Sequence, residues 1–358
     1  MKRRGLCIVP ILALVVFARA QDPTNPAPKR FRFQHHQMGT TFTLLLYAQD
    51  ETQAVNASAQ AFARLDQLNA ILSDYDSKSE LNLLSYSAGQ DQPVPVSPTL
   101  WNVLQPSLEL SRQSKGAFDP TVGPVVTLWR LARSSGMMPT PEAIAAAQKG
   151  IGYDKIVLDS SARTALLTTP NMKLDLGGIA KGYAGDEVLR ILGKLGVCSA
   201  LVNAGGDITV SAAPPDRDGW RIGIGALEAA TAPPAYYVVL EHAAVATSGD
   251  AWQYFELDGQ RFSHLVDPKT GVGLTDHSSV TVIVWDQDGR NGLLADGLAS
   301  AISVMGPEAG IAFADQRNKT ATFIVRRPQD QTETYHSRSF LELKPLSREQ
   351  VEALQRTP

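Results

Sequence analysis

The sequence predicts an α+β fold: two mixed lobes of mostly antiparallel sheet with helices packed on them. Three observations lead there. Strand-like runs follow one another through the second half, at residues 200–202, 220–224, 236–240, 243–246, 255–262, 279–285 and 320–326. Helical periodicity is concentrated in the first half, with one clear helical run, 293–305, among the later strands. The regular alternation of strand and helix that marks a parallel sheet is missing. The division between the lobes is set near residue 198.

The first twenty residues read as a processing signal. Lys2, Arg3 and Arg4 precede an apolar run over 6–17, and Ala18-Arg19-Ala20 offers a cleavage point. The run is short for a membrane span, and Cys7 lies too early in it to be a lipid-attachment cysteine. The expectation is an exported, periplasmic protein, soluble after cleavage or held by an uncleaved anchor. Residues 1–20 carry four basic and no acidic groups, so their removal shifts the formal charge from −3 to −7. That balance argues against a nucleic-acid partner. With Cys198 the one cysteine left, no internal disulfide can form, and the core must hold the fold.

In chain order, residues 21–30 are a proline-rich leader expected to be disordered. Residues 31–47 alternate as strand, with a turn or bulge at Met38-Gly39. From Thr52 the period becomes helical, with Val55, Ala59, Phe62, Leu65, Leu68 and Leu72 on one stripe. The polar run 73–85 has the composition of a loop. Ser97-Pro98 opens a helix, kinked by Pro106 and closed by Gly116. Residues 116–130 read as a rigid turn in which Asp119 caps backbone N–H groups. Thr140-Pro141 starts a short helix, and 156–158 with 165–168 form a hairpin.

Residues 174–184, LDLGGIAKGYA, follow an extended run at 172–174 and open a helix that Gly196 stops. A glycine turn at a helix start presents unpaired N–H groups, and Lys181 adds a full positive charge, which together suit an anion such as a phosphate. Close helix–strand packing accounts for Gly177 and Gly178 equally well. A tight turn at 203–207 and a hairpin at Asp258-Gly259 follow. His264 stands three residues before Asp267-Pro268 in a glycine-ended loop. In the run 293–305, with Leu294, Leu298, Ala301 and Met305 on its apolar side, Asp296 and Ser300 share one helical face. They can converge on a hard cation, or be a solvated acid beside a serine bonded to its own helix. The last residues, 346–358, read as a charged helix or tail.

Taken in order, eight of these runs resemble the ApbE family of flavin transferases, the FAD:protein FMN transferases. They are Met38-Gly39-Thr40 and residues 73–84, 116–123, 175–183, 202–208, 246–250, 264–271 and 295–301. The resemblance implies an enzyme with FAD in a cleft between the lobes, using Mg²⁺ to break its pyrophosphate. FMN would pass to a Thr or Ser of an exported or membrane-associated acceptor protein, releasing AMP. It further implies FAD contacts at Met38, Tyr75, Ala117, Phe118, Asp119, Asp175, Lys181 and Thr270, and Mg²⁺ ligands at Asp296, Ser300 and the Gly178 carbonyl. Gly297 and Ser300 stand where the family commonly has Ala and Thr; serine keeps the hydroxyl ligand.

Chemistry agrees with that implication. The incoming alcohol needs a proton acceptor, and His264 is near neutral at its ordinary pKa, with Asp267 to orient it or assist the metal. Tyr75 and Phe118 offer flat surfaces for isoalloxazine or adenine. Two other functions use the same residues: a Mg²⁺-dependent FAD pyrophosphatase with water as nucleophile, and a flavin-binding module without chemistry.

Overall fold

The computed structural model describes residues 27–351, except 226, 228–232, 251–253 and 258. The expected export signal and most of the leader fall outside these residues. Lys29 and Arg30 already belong to the first strand, β1 (Lys29–Gln37), so the leader gives way to sheet two residues earlier than predicted. β1 turns into β2 (Thr40–Ala48) through Met38 and Gly39, at φ 51° and 70°. Two consecutive residues of positive φ match the twist of the strands they join. Asp50 caps α1 (Glu51–Leu72), accepting the Gln53 N–H at 2.8 Å. The predicted stripe holds at Leu65, Leu68 and Leu72, but Val55 and Ala59 face solvent and Ala54, Ala57 and Ala61 face the core instead. Alanines there let the first turns of α1 lie close to their neighbours.

The run 73–85 is only partly loop, because Ser79 caps α2 (Glu80–Tyr86) by accepting the Asn82 N–H at 3.1 Å. After β3 (Val94–Pro95), α3 (Pro98–Gln113) carries Pro106 without interruption. The predicted rigid turn stops at Gly123, where α4 (Gly123–Ser135) begins with Pro124 in its first turn. α5 (Pro141–Gln148) starts at the Thr140 cap, and β4 (Ile156–Asp159) and β5 (Thr164–Leu167) form the predicted hairpin. The extended run before the glycine turn is no ladder strand: Lys173 makes one isolated bridge to Val122, and the Asp175 N–H reaches the Pro120 carbonyl at 2.8 Å. α6 (Ala180–Lys194) follows.

Beyond it come β6 (Ala200–Ala204), β7 (Asp207–Val210), β8 (Trp220–Ile224), β9 (Tyr236–Leu240) and β10 (Ala243–Gly249). The hairpin of β11 (Tyr254–Leu257) and β12 (Gln260–Ser263) leads to β13 (Val266–Asp267), β14 (Val272–Gly273) and the long β15 (Ser278–Trp285). α7 (Asn291–Met305), α8 (Pro307–Asp315), β16 (Thr320–Arg326), β17 (Glu333–His336), α9 (Arg338–Glu342) and β18 (Leu346–Ser347) complete the order. The predicted tail therefore begins inside the fold, with Leu346 and Ser347 paired to Tyr237 and Tyr236.

Eight strands form one sheet in the order β1-β2-β6-β7-β10-β15-β16-β17, every neighbouring pair antiparallel. Residue 198 lies in the link between α6 and β6, and strands from both sides of it share this sheet. Alternation assigns the two faces. Phe42, Leu44, Leu46, Val202, Ala246, Val280 and Val282 meet the core of α1, α3, α6 and α7. Leu201, Val210, Val245, Ile283 and Phe323 meet the small sheet β18-β9-β8 and Phe340 of α9. A third cluster, around Trp129, Phe262 and Val266, seats the β11–β12 hairpin on α4. Among the described residues, no helix is long and apolar enough to cross a membrane.

α7 is not the one-sided helix its pattern predicts. Leu294, Val304 and Met305 are its less buried members, while Leu293, Ala295, Leu298, Ala299, Ala301 and Ile302 are all buried, because other elements surround it. Its approach to α6 depends on two glycines. A Cβ on Gly182 would stand 2.0 Å from the Gly292 carbonyl oxygen, and one on Gly292 would stand 2.2 Å from that of Gly182. Asp186 of α6 then caps α7 from outside, accepting the Gly292 and Leu293 N–H groups at 2.8 Å each. This crossing brings Lys181 and Asp296 together.

Candidate active site

A cavity of about 870 Å³ opens where the β1–β2 turn, the loop after α1, the start of α4, the 175–181 turn, β7, β10, the β12–β13 link and α7 meet. That volume suits a ligand of dinucleotide size. Met38, Tyr75, Ala117, Phe118, Asp119, Asp175, Gly178, Lys181, His264, Asp296 and Ser300 all line it. Asp267 and Thr270 do not. Asp267 Oδ1 accepts the Lys269 N–H at 2.9 Å and the Thr270 hydroxyl oxygen accepts the Val272 N–H at 3.3 Å, so both serve the turn that carries His264. That turn is moored to helices: Trp129 Nε1 donates to the Gly271 carbonyl at 2.8 Å, and the Gln148 amide to that of Lys269 at 2.7 Å. His264 is exposed beside Leu265, Val266 and Pro268.

At the buried end, Asp296 is 2% exposed. Its Oδ2 accepts the Gly182 N–H at 3.0 Å, and its Oδ1 lies 3.6 Å from Lys181 Nζ. Burial pushes the Asp296 carboxyl up to about 6, against the pull of Lys181. Lys181 is bonded more closely to Asp207, whose Oδ1 accepts the Thr247 N–H at 3.3 Å. Burial opposes the ammonium charge, but Asp207 and Asp296 outweigh it and hold the lysine above its ordinary value. One turn along α7, the Ser300 hydroxyl donates to the Gly178 carbonyl at 3.3 Å.

These neighbours correct the picture of an open anion site at the start of α6. The Ala180 N–H bonds the Leu176 carbonyl, the Gly182 N–H bonds Asp296, and Lys181 sits between two carboxylates. What the end offers is oxygen: a buried carboxylate and, one turn along α7, a hydroxyl bonded to the Gly178 carbonyl. A Cβ on Gly178 would lie 2.7 Å from the Ser300 hydroxyl oxygen, so only glycine leaves that carbonyl and hydroxyl side by side. Such a donor set fits Mg²⁺, which takes one or two protein carboxylates and completes its shell with water and substrate phosphates. Among the described residues, no group of three or more His, Cys, Asp and Glu side chains forms a dedicated metal cage.

At the other end the predicted Tyr75 and Asp175 are joined by two residues the sequence reading does not single out, Arg130 and Asp74. Arg130 of α4 bonds Asp74, reaches Asp175 Oδ2 at 3.2 Å, and lies over the Tyr75 ring with its guanidinium carbon 4.1 Å from the centroid. Tyr75 is 79% exposed, so this contact is what orients it. Burial and then Asp74 push the Asp175 carboxyl up to about 6, with Arg130 pulling down; Asp175 Oδ1 also accepts the Gly177 N–H at 2.8 Å. Asp119 has the capping role expected of it: Oδ1 accepts the Thr121 N–H and hydroxyl at 2.9 and 2.6 Å, and Oδ2 the Tyr153 N–H at 3.1 Å. The Asp-Pro and Gly-Pro pairs of 116–130 give that run the pattern of a turn, which hides α4 and with it Arg130. Asp207 left one signal, a carboxylate directly after a Gly-Gly turn.

Known proteins resemble this chain over most of its length. The ApbE family model matches residues 38–324. The FAD:protein FMN transferase of Haemophilus influenzae is 32% identical over 298 residues, covering 81% of this chain and 84% of the relative. That of Vibrio cholerae is 30% identical over 337 residues, covering 93% and 97%. Among solved structures, the flavinyl transferase ApbE of Pseudomonas stutzeri in its apo form superposes with a TM-score of 0.75 at 32% identity, over 90% of this chain and 98% of that one. The flavin transferase ApbE of Vibrio cholerae gives 0.77 at 30% identity, over 88% and 99%.

Proposed function

The chain belongs to the ApbE family, and from that premise we propose that it is a Mg²⁺-dependent FAD:protein FMN transferase that flavinylates Thr or Ser of an acceptor protein. The observation that carries this reading is the convergence of the Asp296 carboxylate, the Ser300 hydroxyl and the Gly178 carbonyl beside Lys181, in a cavity whose other end holds Tyr75.

Asp296, Ser300 and the Gly178 carbonyl would hold the cation. When bound, Mg²⁺ supplies neutralisation of charge on the phosphoryl oxygens without proton transfer. Lys181 contributes a fixed positive charge to the same anion. Tyr75, backed by Arg130, and Phe118 supply surfaces for the rings of FAD. In the transfer, the acceptor oxygen forms a bond to the FMN phosphorus as the bond from that phosphorus to the bridging oxygen breaks. The electron pair leaves with AMP. His264, at the cavity edge, takes the proton of the attacking hydroxyl. The N-terminal sequence of residues 1–20 supports an exported, periplasmic enzyme, with an acceptor that is exported or membrane-associated.

The test is incubation of the purified protein with FAD, with and without Mg²⁺ and an exported candidate acceptor. AMP with flavinylated acceptor, in the presence of Mg²⁺ alone, is the expected result. AMP with free FMN even when acceptor is present would make the protein a hydrolase, and unchanged FAD would make it a binder.

A further inference from the structure

Lys181 stands between two carboxylates, yet only one of them belongs to the cation site just described. We propose that Asp207 is a positioning residue that keeps the Lys181 ammonium off Asp296 and so leaves Asp296 able to take a divalent cation. This rests on the reading of Asp296 as a cation ligand.

Asp296 Oδ2 already accepts the Gly182 N–H at 3.0 Å, so Oδ1 is the less occupied of its two oxygens and the freer one for a cation. The nearest positive charge to that oxygen is Lys181 Nζ, at 3.6 Å. A lysine ammonium and Mg²⁺ both seek carboxylate oxygen, so an ammonium that closed the remaining distance would compete for the same atom. What holds it back is Asp207 Oδ2, with which it makes its closer bond. Asp207 is itself fixed. It follows directly on the turn between β6 and β7, is 8% exposed, and anchors its other oxygen on the Thr247 N–H at 3.3 Å. Charge balance points the same way. Two carboxylates and one ammonium leave a net negative charge that a divalent cation reverses, making the end attractive to a pyrophosphate only after the cation has bound.

The experiment measures Mn²⁺ binding by electron paramagnetic resonance, without FAD and without turnover, on the wild type and five variants whose melting temperatures are also recorded. Asp296→Asn tests the cation site itself. Asp207→Asn keeps an oxygen for the Thr247 N–H but removes the charge that holds Lys181, and should weaken Mn²⁺ about tenfold or more. Lys181→Met should bind Mn²⁺ as tightly as the wild type or tighter. The double variant Asp207→Asn/Lys181→Met should recover most of what Asp207→Asn loses, because the competitor is gone. Asp207→Glu, which keeps the charge, should lie closer to the wild type than Asp207→Asn.

A wild type without a Mn²⁺ site, or one insensitive to Asp296→Asn, overturns the cation reading and this proposal with it. A normal wild-type site overturns the proposal alone if Asp207→Asn is neutral, if Lys181→Met weakens Mn²⁺, or if the double variant stays as weak as Asp207→Asn. That last outcome would make Asp207 a ligand or a merely structural group. Rescue by removal of a positive charge is an outcome no packing role produces.

Discussion

The two ends of the cavity share a charge pattern and differ in everything around it. At one end Lys181 lies between Asp207 and Asp296; at the other Arg130 lies between Asp74 and Asp175. Lysine is a point charge, and its end is buried under α7 with a hydroxyl and a carbonyl beside it. Arginine is a flat fork, able to bind two carboxylates along its edge while its face covers the exposed ring of Tyr75. Charge alone therefore does not assign the chemistry. The third partner does: oxygen donors make a place for a hard cation and a phosphate, and an aromatic ring makes a place for another ring.

If that division is right, variants at the buried end should remove chemistry or the hold on phosphate, and variants at the exposed end should loosen the hold on the flavin ring. The largest effect is expected from Asp296→Asn, which keeps an acceptor for the Gly182 N–H but loses the buried charge. FAD cleavage should become undetectable while the melting temperature stays near wild type; normal turnover at ordinary Mg²⁺ would remove Asp296 from the site. Next comes His264→Ala, which belongs to neither end. General base catalysis typically supplies 10² to 10⁴, so single-turnover transfer from saturating FAD should slow by roughly that factor with FAD affinity almost unchanged. A collapse of affinity with transfer intact would make His264 a ligand of FAD instead.

Much of the fold was legible because it rests on local rules. The caps at Ser97 and Thr140, the Met38-Gly39 turn and the alternation through residues 31–47 each announce themselves within a few residues. Placement at the cavity was legible where a motif is contiguous, as with Asp175, Gly178 and Lys181, which all line it. It was not legible where two distant segments must meet. Neither Lys181 nor Asp207 says in sequence that the other is its partner, and the fate of the α6 amides depends on Asp296, which arrives from α7 more than a hundred residues later. The stripe on α1 misled because volume is a poor guide to facing: alanines pack where helices approach closely, and Val55 is left outside. α7 misled for the opposite reason, since a helix enclosed on all sides has no polar face to set the period.

The exposed end yields a smaller effect and a sharper contrast. Arg130→Met should weaken FAD and riboflavin alike, by about 3- to 10-fold, the scale of a lost cation–π contact and a less ordered ring. Lys181→Met should weaken FAD far more than riboflavin, which has no phosphate. Fluorescence titration with both flavins separates the two, and a phosphate-selective loss in Arg130→Met would break the comparison. The same variant has a pH signature. Arg130 restrains the Asp175 carboxyl, which burial and Asp74 already raise to about 6 from an ordinary 3.8. Removing the arginine raises that folded-state value further, so the variant's folded state binds more protons than the wild type's above about pH 6. Stability must then fall more steeply with rising pH, and the gap between the two proteins in urea melts should widen from pH 5 to pH 8. A gap that narrows would mean Arg130 does not act on Asp175 in this way.

The smallest effect should come from Ser300→Thr, and it asks whether the buried end depends on a donor atom or on a shape. Ser300 is 8% exposed and lines the cavity, and its hydroxyl lies 3.3 Å from the Gly178 carbonyl. Threonine keeps that hydroxyl and adds one methyl group. Overpacking a closed core by a methyl group costs about 1–3 kcal/mol, but a residue bordering a cavity has somewhere to put it. In a helix threonine divides between two rotamers, one of which leaves the hydroxyl where serine has it. Mn²⁺ affinity should therefore stay within about threefold of wild type, with little change in melting temperature. Ser300→Ala, smaller and free of any clash but lacking the oxygen, should be the worse of the two, by about tenfold in Mn²⁺ affinity, on the scale of one hydrogen-bonding or ligating group. If alanine binds Mn²⁺ better than threonine does, shape governs this position, the hydroxyl is no ligand, and the buried end loses one of the oxygen donors that set it apart from the end around Arg130.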